Sequence, residues 1–268
     1  MKVEFVKLSP TQNMTILVKT PVERENHLEV ATKLMDYASV GAEQVGFIEN
    51  GQGTIRLQMM AGEFCGNASM SMAAYLASKR DMEIGEEMHL LFEVSGAEKI
   101  LDCSIKAVKD GYVGKVNMPL PLKTEDIEYV LGDKKLKLTT VFLPGIRHII
   151  LPSGIIGEDF RKILENNIDA FGKQFDDEAF GLIVFDEDTL RIDPLVVVKG
   201  ASCVWERGCG SGSEAVAVFI AEREKKSVLL SISQPGGVIK AEAVYDNGIK
   251  SVSISGLVKI VAEGVAYI

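Results

Sequence analysis

Two cysteines of this chain, Cys65 and Cys209, each stand directly before a run of glycine and other small residues. The runs read Cys-Gly-Asn-Ala-Ser over residues 65–69 and Cys-Gly-Ser-Gly-Ser over residues 209–213. They predict that each cysteine precedes a helix, where free N–H groups and the positive end of the helix dipole lower a thiol pKa. A carboxylate can bind the same N–H groups. Two such motifs predict one anion between two thiols, which can remove a proton from one face of a carbon and return one to the other.

The two motifs belong to an internal repeat that covers much of the chain. Residues of the two predicted helices align in order: Ala73, Tyr75, Leu76 and Ala77 with Ala217, Phe219, Ile220 and Ala221. Each helix is followed by alternating strands that turn at Asp110-Gly111 and at Asn247-Gly248, and these dipeptides are strong hairpin signals. A period close to half the chain is too long for a solenoid. The repeat therefore predicts two similar α+β domains with a ligand cleft between them.

Segments with helical spacing of apolar residues lie upstream of both motifs. They cover residues 22–38 and 158–171. In the first segment the apolar side chains are expected to share one face: Leu28, Ala31, Leu34 and Met35.

Composition and charge exclude several classes of function. The 268 residues carry a net charge of −9, and their basic residues are scattered rather than clustered as in nucleic-acid-binding proteins. The first residues contain no signal-peptide core, and the apolar runs are far shorter than a membrane span. Four cysteines make no disulfide framework. We expect a cytoplasmic protein of one large or two medium domains, without nucleic-acid or membrane partners.

The remaining cysteines and the histidines favour structural roles. Cys103 lies in a predicted strand and Cys203 in an apolar run, so both are expected to be buried small hydrophobes. His27 is expected to face solvent and His89 to be structural, whereas His148 suits either the core or a site. None of these residues has the paired spacing of a structural zinc site, so no metal is predicted.

Residues 64–68 and 209–212 resemble the two catalytic signatures of the diaminopimelate epimerase-like amino acid racemases. Residues 206–208, Glu-Arg-Gly, resemble a stretch near the second cysteine of that family. The resemblance implies an isomerase that acts on a small amino acid without pyridoxal phosphate or another cofactor.

The same resemblance implies an α+β fold of two pseudo-symmetric domains, each a β-barrel-like sheet around a central helix. The domains are expected at residues 1–117 and 118–257. The C-terminal strand, residues 258–268, is expected to complete the first domain, and a homodimer is compatible with this arrangement.

Within that superfamily the chain is most similar to the histidine racemases, such as those that supply D-histidine to opine metallophore pathways. Four stretches carry this likeness: residues 13–18, 43–49, 63–68 and 234–237. Met59 and Ile146 stand where diaminopimelate epimerases have asparagines that bind the distal head of the substrate, so diaminopimelate is disfavoured. Arg207 directly before Gly208 departs from the histidine racemases and could favour a different side chain.

The resemblance assigns a role to each candidate site residue. Cys65 and Cys209 are the two bases that interconvert L- and D-histidine. The backbone N–H groups that hold the substrate carboxylate belong to four residues: Gly66, Asn67, Gly210 and Ser211. His148 and Glu206 are expected near the α-amino group. Polar residues that orient the substrate are Asn13 and Gln44.

Other functions stay open at this point. One is diaminopimelate epimerisation or racemisation of another amino acid by the same chemistry. A second is a thiol redox switch in which Cys65 and Cys209 form a reversible disulfide. A third is a protein that binds an amino acid without reacting with it.

Overall fold

A computed structural model of the chain describes residues 1–131, 134–157, 159–175, 177–199 and 202–268. Contacts divide it into two compact units: the first comprises Met1–Asn117 and Ser253–Ile268, and the second comprises Met118–Val252. Each unit combines a mixed parallel and antiparallel sheet with a largely buried helix. The predicted α+β class is confirmed.

The sheet of the first unit closes on itself. Its strands are β1 (Lys2–Pro10), β2 (Thr15–Val18), β3 (Gln44–Asn50), β4 (Ile55–Met59), β5 (Glu87–Val94), β6 (Leu101–Val108), β7 (Gly111–Met118) and, from Ser253 onward, the C-terminal strand (Ile249–Tyr267). They pair in this order, and the C-terminal strand also pairs with β1, from Lys2 opposite Tyr267 to Pro10 opposite Val258. This last pairing makes the sheet barrel-like and ties both ends of the chain into it.

A central helix, α2 (Gly66–Ala77), fills this sheet. It contacts β1, β2, β3 and β6, and ten of its twelve residues are buried. A helix that is apolar or small on every side can be stable only when surrounded by protein. Gly114 allows the close approach of β7, because a Cβ at this position would lie 2.9 Å from the Met70 side chain.

An outer helix, α1 (His27–Met35), packs on β3 and is shorter than the predicted segment 22–38. The predicted apolar face holds for Ala31 and Leu34 but was wrong for Leu28, which is 60% exposed. The buried face instead comprises His27, Val30, Ala31 and Leu34, whose spacing at 100° per residue places them on one side of the helix. His27 is also not solvent-facing: its ring stacks on Phe47 with centroids 3.6 Å apart.

The second unit also arranges strands of the sheet around a central helix. Its strands are β8 (Lys123–Leu131), β9 (Lys134–Leu143), β10 (Ile146–Pro152), β11 (Ala179–Asp186), β12 (Arg191–Val198), β13 (Ser202–Trp205), β14 (Val228–Gln234) and β15 (Gly237–Tyr245). The order in the sheet is β15-β14-β12-β11-β10-β9-β8, and β13 pairs with β12. Its helices are α3 (Ser153–Ile156), α4 (Phe160–Phe175) and α5 (Gly210–Glu224).

The two longer helices of this unit have different surroundings. The helix predicted at 158–171 is α4, which runs on to Phe175, while residue 158 lies outside the described residues. It packs one apolar face into the core, where the ring of Phe171 stacks on that of Tyr129 with centroids 4.0 Å apart. In contrast, α5 is buried at ten of its fifteen positions and contacts β9, β10, β12, β14 and β15. It is the counterpart of α2.

Candidate active site

Cys65 is the residue before α2, as predicted. Its backbone is extended, and its Sγ accepts the N–H of Ala68 at 3.4 Å. The Ser69 hydroxyl donates back to the Cys65 carbonyl at 2.8 Å. The thiol thus takes the place of the serine or aspartate oxygen that commonly caps a helix. These hydrogen bonds hold the sulfur at the positive end of the α2 dipole.

A chain of hydrogen bonds links Asn13 and Gln44 to the Cys65 thiol. Gln44 begins β3, which pairs in parallel with β2, and Gln44 lies opposite Thr15, two residues after Asn13. The Gln44 Nε2 donates to Asn13 Oδ1 at 2.7 Å and to Thr15 Oγ1 at 2.8 Å. The Cys65 S–H donates to Gln44 Oε1 at 2.9 Å. The structure therefore brings three of the candidate residues together, with Thr15 as a partner that the sequence reasoning missed.

Cys209 caps α5 in the same way as Cys65 caps α2. Its backbone is extended, its Sγ accepts the N–H of Gly212 at 3.3 Å, and the Ser213 hydroxyl donates to its carbonyl at 2.8 Å. Gly212 favours this approach, because a Cβ there would make tight contacts, 3.1 Å from the sulfur and 3.0 Å from the Ile183 side chain. Cys209 itself is buried.

Gln234, at the end of β14, holds the backbone of Cys209 and was given no role from the sequence. Its Oε1 accepts the N–H of Cys209 at 2.6 Å, and its Nε2 donates to Ser213 Oγ at 2.8 Å. Both partners are buried, so the amide fixes the first turn of α5 from outside the helix. The likeness of residues 234–237 to the histidine racemases pointed to this stretch. It did not indicate that Gln234 contacts the backbone of Cys209.

His148 lies in β10 and is both a core residue and part of the candidate site. Its ring is completely buried, and its Nε2 lies 2.9 Å from Ser211 Oγ. The same hydroxyl is 3.6 Å from Cys209 Sγ, so Ser211 bridges the imidazole and the thiol. Burial lowers the pKa of His148 to about 3, and the ring is therefore neutral near pH 7.

The Cys209 thiol does not have the lowered pKa that its position at a helix start predicted. Its pKa is raised well above the ordinary value, first by burial and then by the Glu206 carboxylate beside it. Ser211 and the Gly212 N–H act in the opposite direction. The prediction was wrong because the cost of burying a thiolate exceeds what these donors return.

Backbone donors at the two helix starts could bind an anion. Gly212 and Ser213 direct their N–H groups to the sulfur and the carbonyl of Cys209. In the part of the chain that the structure describes, the N–H groups of Gly66, Gly210 and Ser211 have no acceptor. These are the first residues of each helix, where the dipole favours negative charge. Asn67, the remaining predicted donor, follows Gly66 in α2 and is buried.

The other cysteines and His89 lie apart from these contacts. Cys103 is buried in β6 as predicted, and burial raises its pKa to about 12. Cys203 is exposed on β13, which corrects the prediction that it is buried, because β13 is a short strand at the edge of the sheet. His89 is exposed in β5, and its Nδ1 lies 2.8 Å from Oδ1 of Asp102 on the neighbouring strand β6. Among the described residues no group of three or more His, Cys, Asp or Glu could hold a metal ion.

The structure also shows where the three residues lie that distinguished between possible substrates in the sequence. Met59 is completely buried at the end of β4, with its N–H bonded to Ser95 Oγ at 2.9 Å. Ile146 begins β10. Arg207 donates to the Pro235 carbonyl at 3.3 Å. The side chain of Arg207 therefore contacts the loop that follows Gln234.

Solved structures of amino acid racemases and epimerases share this fold. A probable proline racemase from Agrobacterium radiobacter K84 matches with a TM-score of 0.71 at 11% identity, over 99% of this chain and 92% of that one. A hydroxyproline epimerase from Agrobacterium vitis also matches with a TM-score of 0.71, at 10% identity over 98% and 92%. These matches show that the chain has the fold of these proteins.

Sequence comparison defines the family within this class. The model of the histidine racemase CntK N-terminal domain matches residues 2–267. Histidine racemases from Fusobacterium nucleatum subsp. nucleatum and Staphylococcus aureus are 34% and 28% identical to this chain over 99% of its length, and it covers 97% and 98% of theirs. The chain belongs to the histidine racemase family, and it is an amino acid racemase. None of the helices within the described ranges is long and apolar enough to span a membrane.

Proposed function

We propose that this chain interconverts L- and D-histidine by proton transfer at the α-carbon, with Cys65 and Cys209 as the two bases. One cysteine, as thiolate, removes the α-proton, and the other, as thiol, delivers a proton to the opposite face. The observation that carries the proposal is that both cysteines cap a central helix in the same way, each Sγ accepting the N–H of the third residue after it. The activity for which these relatives are named supports histidine as the substrate.

The proposed mechanism uses the helix starts to stabilise the carbanion. The α-proton of an amino acid is very weakly acidic, so negative charge must be stabilised as it moves onto the carboxylate. The N–H groups of Gly66, Asn67, Gly210 and Ser211 are the donors in this proposal. Donors that are already oriented, at the positive ends of two helices, provide such stabilisation without reorganisation.

The remaining candidate residues bind the rest of the amino acid in this proposal. Glu206 attracts the α-ammonium group, and neutral His148 can lie near that group without repelling it. Asn13 and Gln44 orient the substrate from the side of Cys65. The reaction as proposed needs no pyridoxal phosphate, other cofactor or metal. A cytoplasmic location and a homodimer stay predictions, the second of which light scattering on the purified protein would test.

In the deciding experiment, L-histidine is incubated with the purified protein in deuterated buffer, with and without a chelator. We expect D-histidine to appear by chiral chromatography and deuterium to enter the α-position by NMR, equally in both buffers. Loss of activity with the chelator and its recovery with zinc would contradict the cofactor-free reaction. Absence of exchange with any common amino acid would favour a binding protein or a redox switch.

A parallel measurement compares histidine with LL- and meso-diaminopimelate. Met59 and Ile146 replace the amides that a distal amino acid head would need, and the loss of such hydrogen bonds in a closed site costs several kcal/mol. We therefore expect histidine to react faster by on the order of a thousandfold. If diaminopimelate reacts faster, the epimerase alternative replaces the histidine proposal. If another amino acid reacts faster than histidine, the mechanism stands, and Arg207 becomes the first residue to test for substrate specificity.

A further inference from the structure

We infer that Gln44 is a positioning residue that holds the Cys65 side chain in its thiol form and so sets the pH at which this cysteine becomes a base. The inference rests on the proposed role of Cys65 in proton transfer. It gives Gln44 a task besides orienting the substrate. The task follows from which atoms of Gln44 are donors and which are acceptors.

The orientation of the Gln44 amide is determined by its partners. Its Nε2 lies 2.7 Å from Asn13 Oδ1 and 2.8 Å from Thr15 Oγ1. The Thr15 hydroxyl donates its own hydrogen to the Asn13 carbonyl at 3.3 Å, so its oxygen is left to accept from Gln44. Asn13 and Thr15 are 2% and 0% exposed, so water does not replace them. Both amide hydrogens are therefore used, and Oε1 is the atom that faces Cys65.

An amide oxygen can accept a hydrogen bond but cannot donate one. The contact of 2.9 Å between Cys65 Sγ and Gln44 Oε1 is consequently favourable for the thiol and unfavourable for the thiolate. The N–H of Ala68, 3.4 Å from the same sulfur, has the opposite preference. Cys65 thus lies between a donor that favours its basic form and an acceptor that opposes it. Removing the acceptor should make the thiolate more accessible.

The test measures the thiolate directly in the full chain. Wild type, Gln44→Leu and Gln44→Glu are alkylated with iodoacetamide across a pH series, and peptide mass spectrometry follows each cysteine separately. We expect the midpoint pH for Cys65 to fall in Gln44→Leu, with about fivefold faster alkylation at pH 7, because a neutral acceptor is removed. In Gln44→Glu the midpoint should rise, because a carboxylate opposes the thiolate more strongly than an amide does.

The two variants control for access and folding. Gln44→Glu has nearly the size of the native residue, so it reports charge rather than exposure of the sulfur. Cys203, which is exposed on the second unit, is the internal control and should react equally in all three proteins. Midpoints that are unchanged, or that move in the reverse order, would overturn the inference. If Gln44→Leu fails to fold, the direction of the shift in Gln44→Glu decides alone.

The same variants separate this inference from the proposed function. Alkylation needs no substrate, so its outcome stands even if histidine is not racemised. A residue that oriented the substrate without acting on the thiol would raise KM in Gln44→Leu and leave the pH profile of kcat in place. We expect the limb of the kcat profile that belongs to Cys65 to move with its alkylation midpoint. A change in KM alone would contradict the positioning role.

Discussion

The buried imidazole of His148 lies directly against Gly181, in the space that a side chain on Gly181 would fill. The two residues are opposite each other in the parallel pairing of β10 with β11. The absence of a side chain at Gly181 lets the ring remain in the sheet and direct Nε2 to Ser211. Glycine in the interior of a strand often marks such a close approach.

Gly181→Ala should therefore displace the ring and break its contact with Ser211. Overpacking of this kind commonly costs about 1–3 kcal/mol of stability. We expect turnover to fall by at least about tenfold, because the link from His148 through Ser211 to Cys209 is broken. Urea unfolding and racemisation assays measure both effects. Gly172→Ala is the matched control, because its Cβ would lie 3.9 Å from Phe180 and alanine suits a helix. Equal effects in both variants would contradict the role assigned to Gly181.

The depressed pKa of His148 predicts a loss of stability in acid. The pKa of His148 is about 3 in the fold, whereas the ordinary pKa of histidine is 6.5. The unfolded chain therefore binds a proton first as the pH falls. Stability is complete above about pH 6.5 and decreases towards pH 3, by about 1.4 kcal/mol per pH unit well inside this window. His148→Gln, which does not titrate, should have a flatter dependence. Unfolding in urea at pH 7 and pH 5 compares the two proteins, and identical slopes would show that His148 is not responsible.

Cys65→Ser and Cys209→Ser should each abolish racemisation while the fold remains intact. Serine keeps the cap on the helix but is far less acidic than cysteine, so it cannot serve as the base. Chiral chromatography and circular dichroism test the two halves of this expectation. Cys203→Ser is the matched control, because Cys203 is exposed and outside the site contacts. A single serine variant with near-native turnover would rule out the two-base mechanism.

Gln234→Ala should loosen the start of α5. It removes the acceptor of the Cys209 N–H and the donor to Ser213, both inside the core. Leaving buried polar groups without partners costs about 1–3 kcal/mol, and we expect kcat to fall because Cys209 loses its fixed position. Gln174→Ala is the control, since Gln174 makes one exposed contact with the Glu128 carbonyl. Thermal unfolding and turnover of the two variants should differ clearly, and a silent Gln234→Ala would remove this residue from the site.

Local signals in the sequence were sufficient to place several elements. A cysteine followed by glycine and small residues predicted the starts of α2 and α5, and the helices begin at Gly66 and Gly210. The Asp110-Gly111 signal predicted the hairpin between β6 and β7, where Val108 lies opposite Gly111. These features depend on residues that are adjacent in the chain, which is why periodicity and turn chemistry could find them.

Burial and protonation were decided by the tertiary structure. His27 is buried because Phe47, on β3, provides a ring to stack on, and Cys203 is exposed because β13 lies at the edge of the sheet. The pKa of Cys209 rises because distant segments surround the thiol and exclude water.

The contacts of the two cysteines likewise fall into a group that the local sequence determines and a group that the tertiary structure determines. The sequence by itself determined that Cys65 and Cys209 cap helices, since the capping groups follow within four residues. Only the tertiary structure decided that Gln44 accepts the thiol of Cys65 and that Gln234 holds the backbone of Cys209. These partners lie more than twenty residues away along the chain and meet the cysteines through sheet register, which no local pattern specifies.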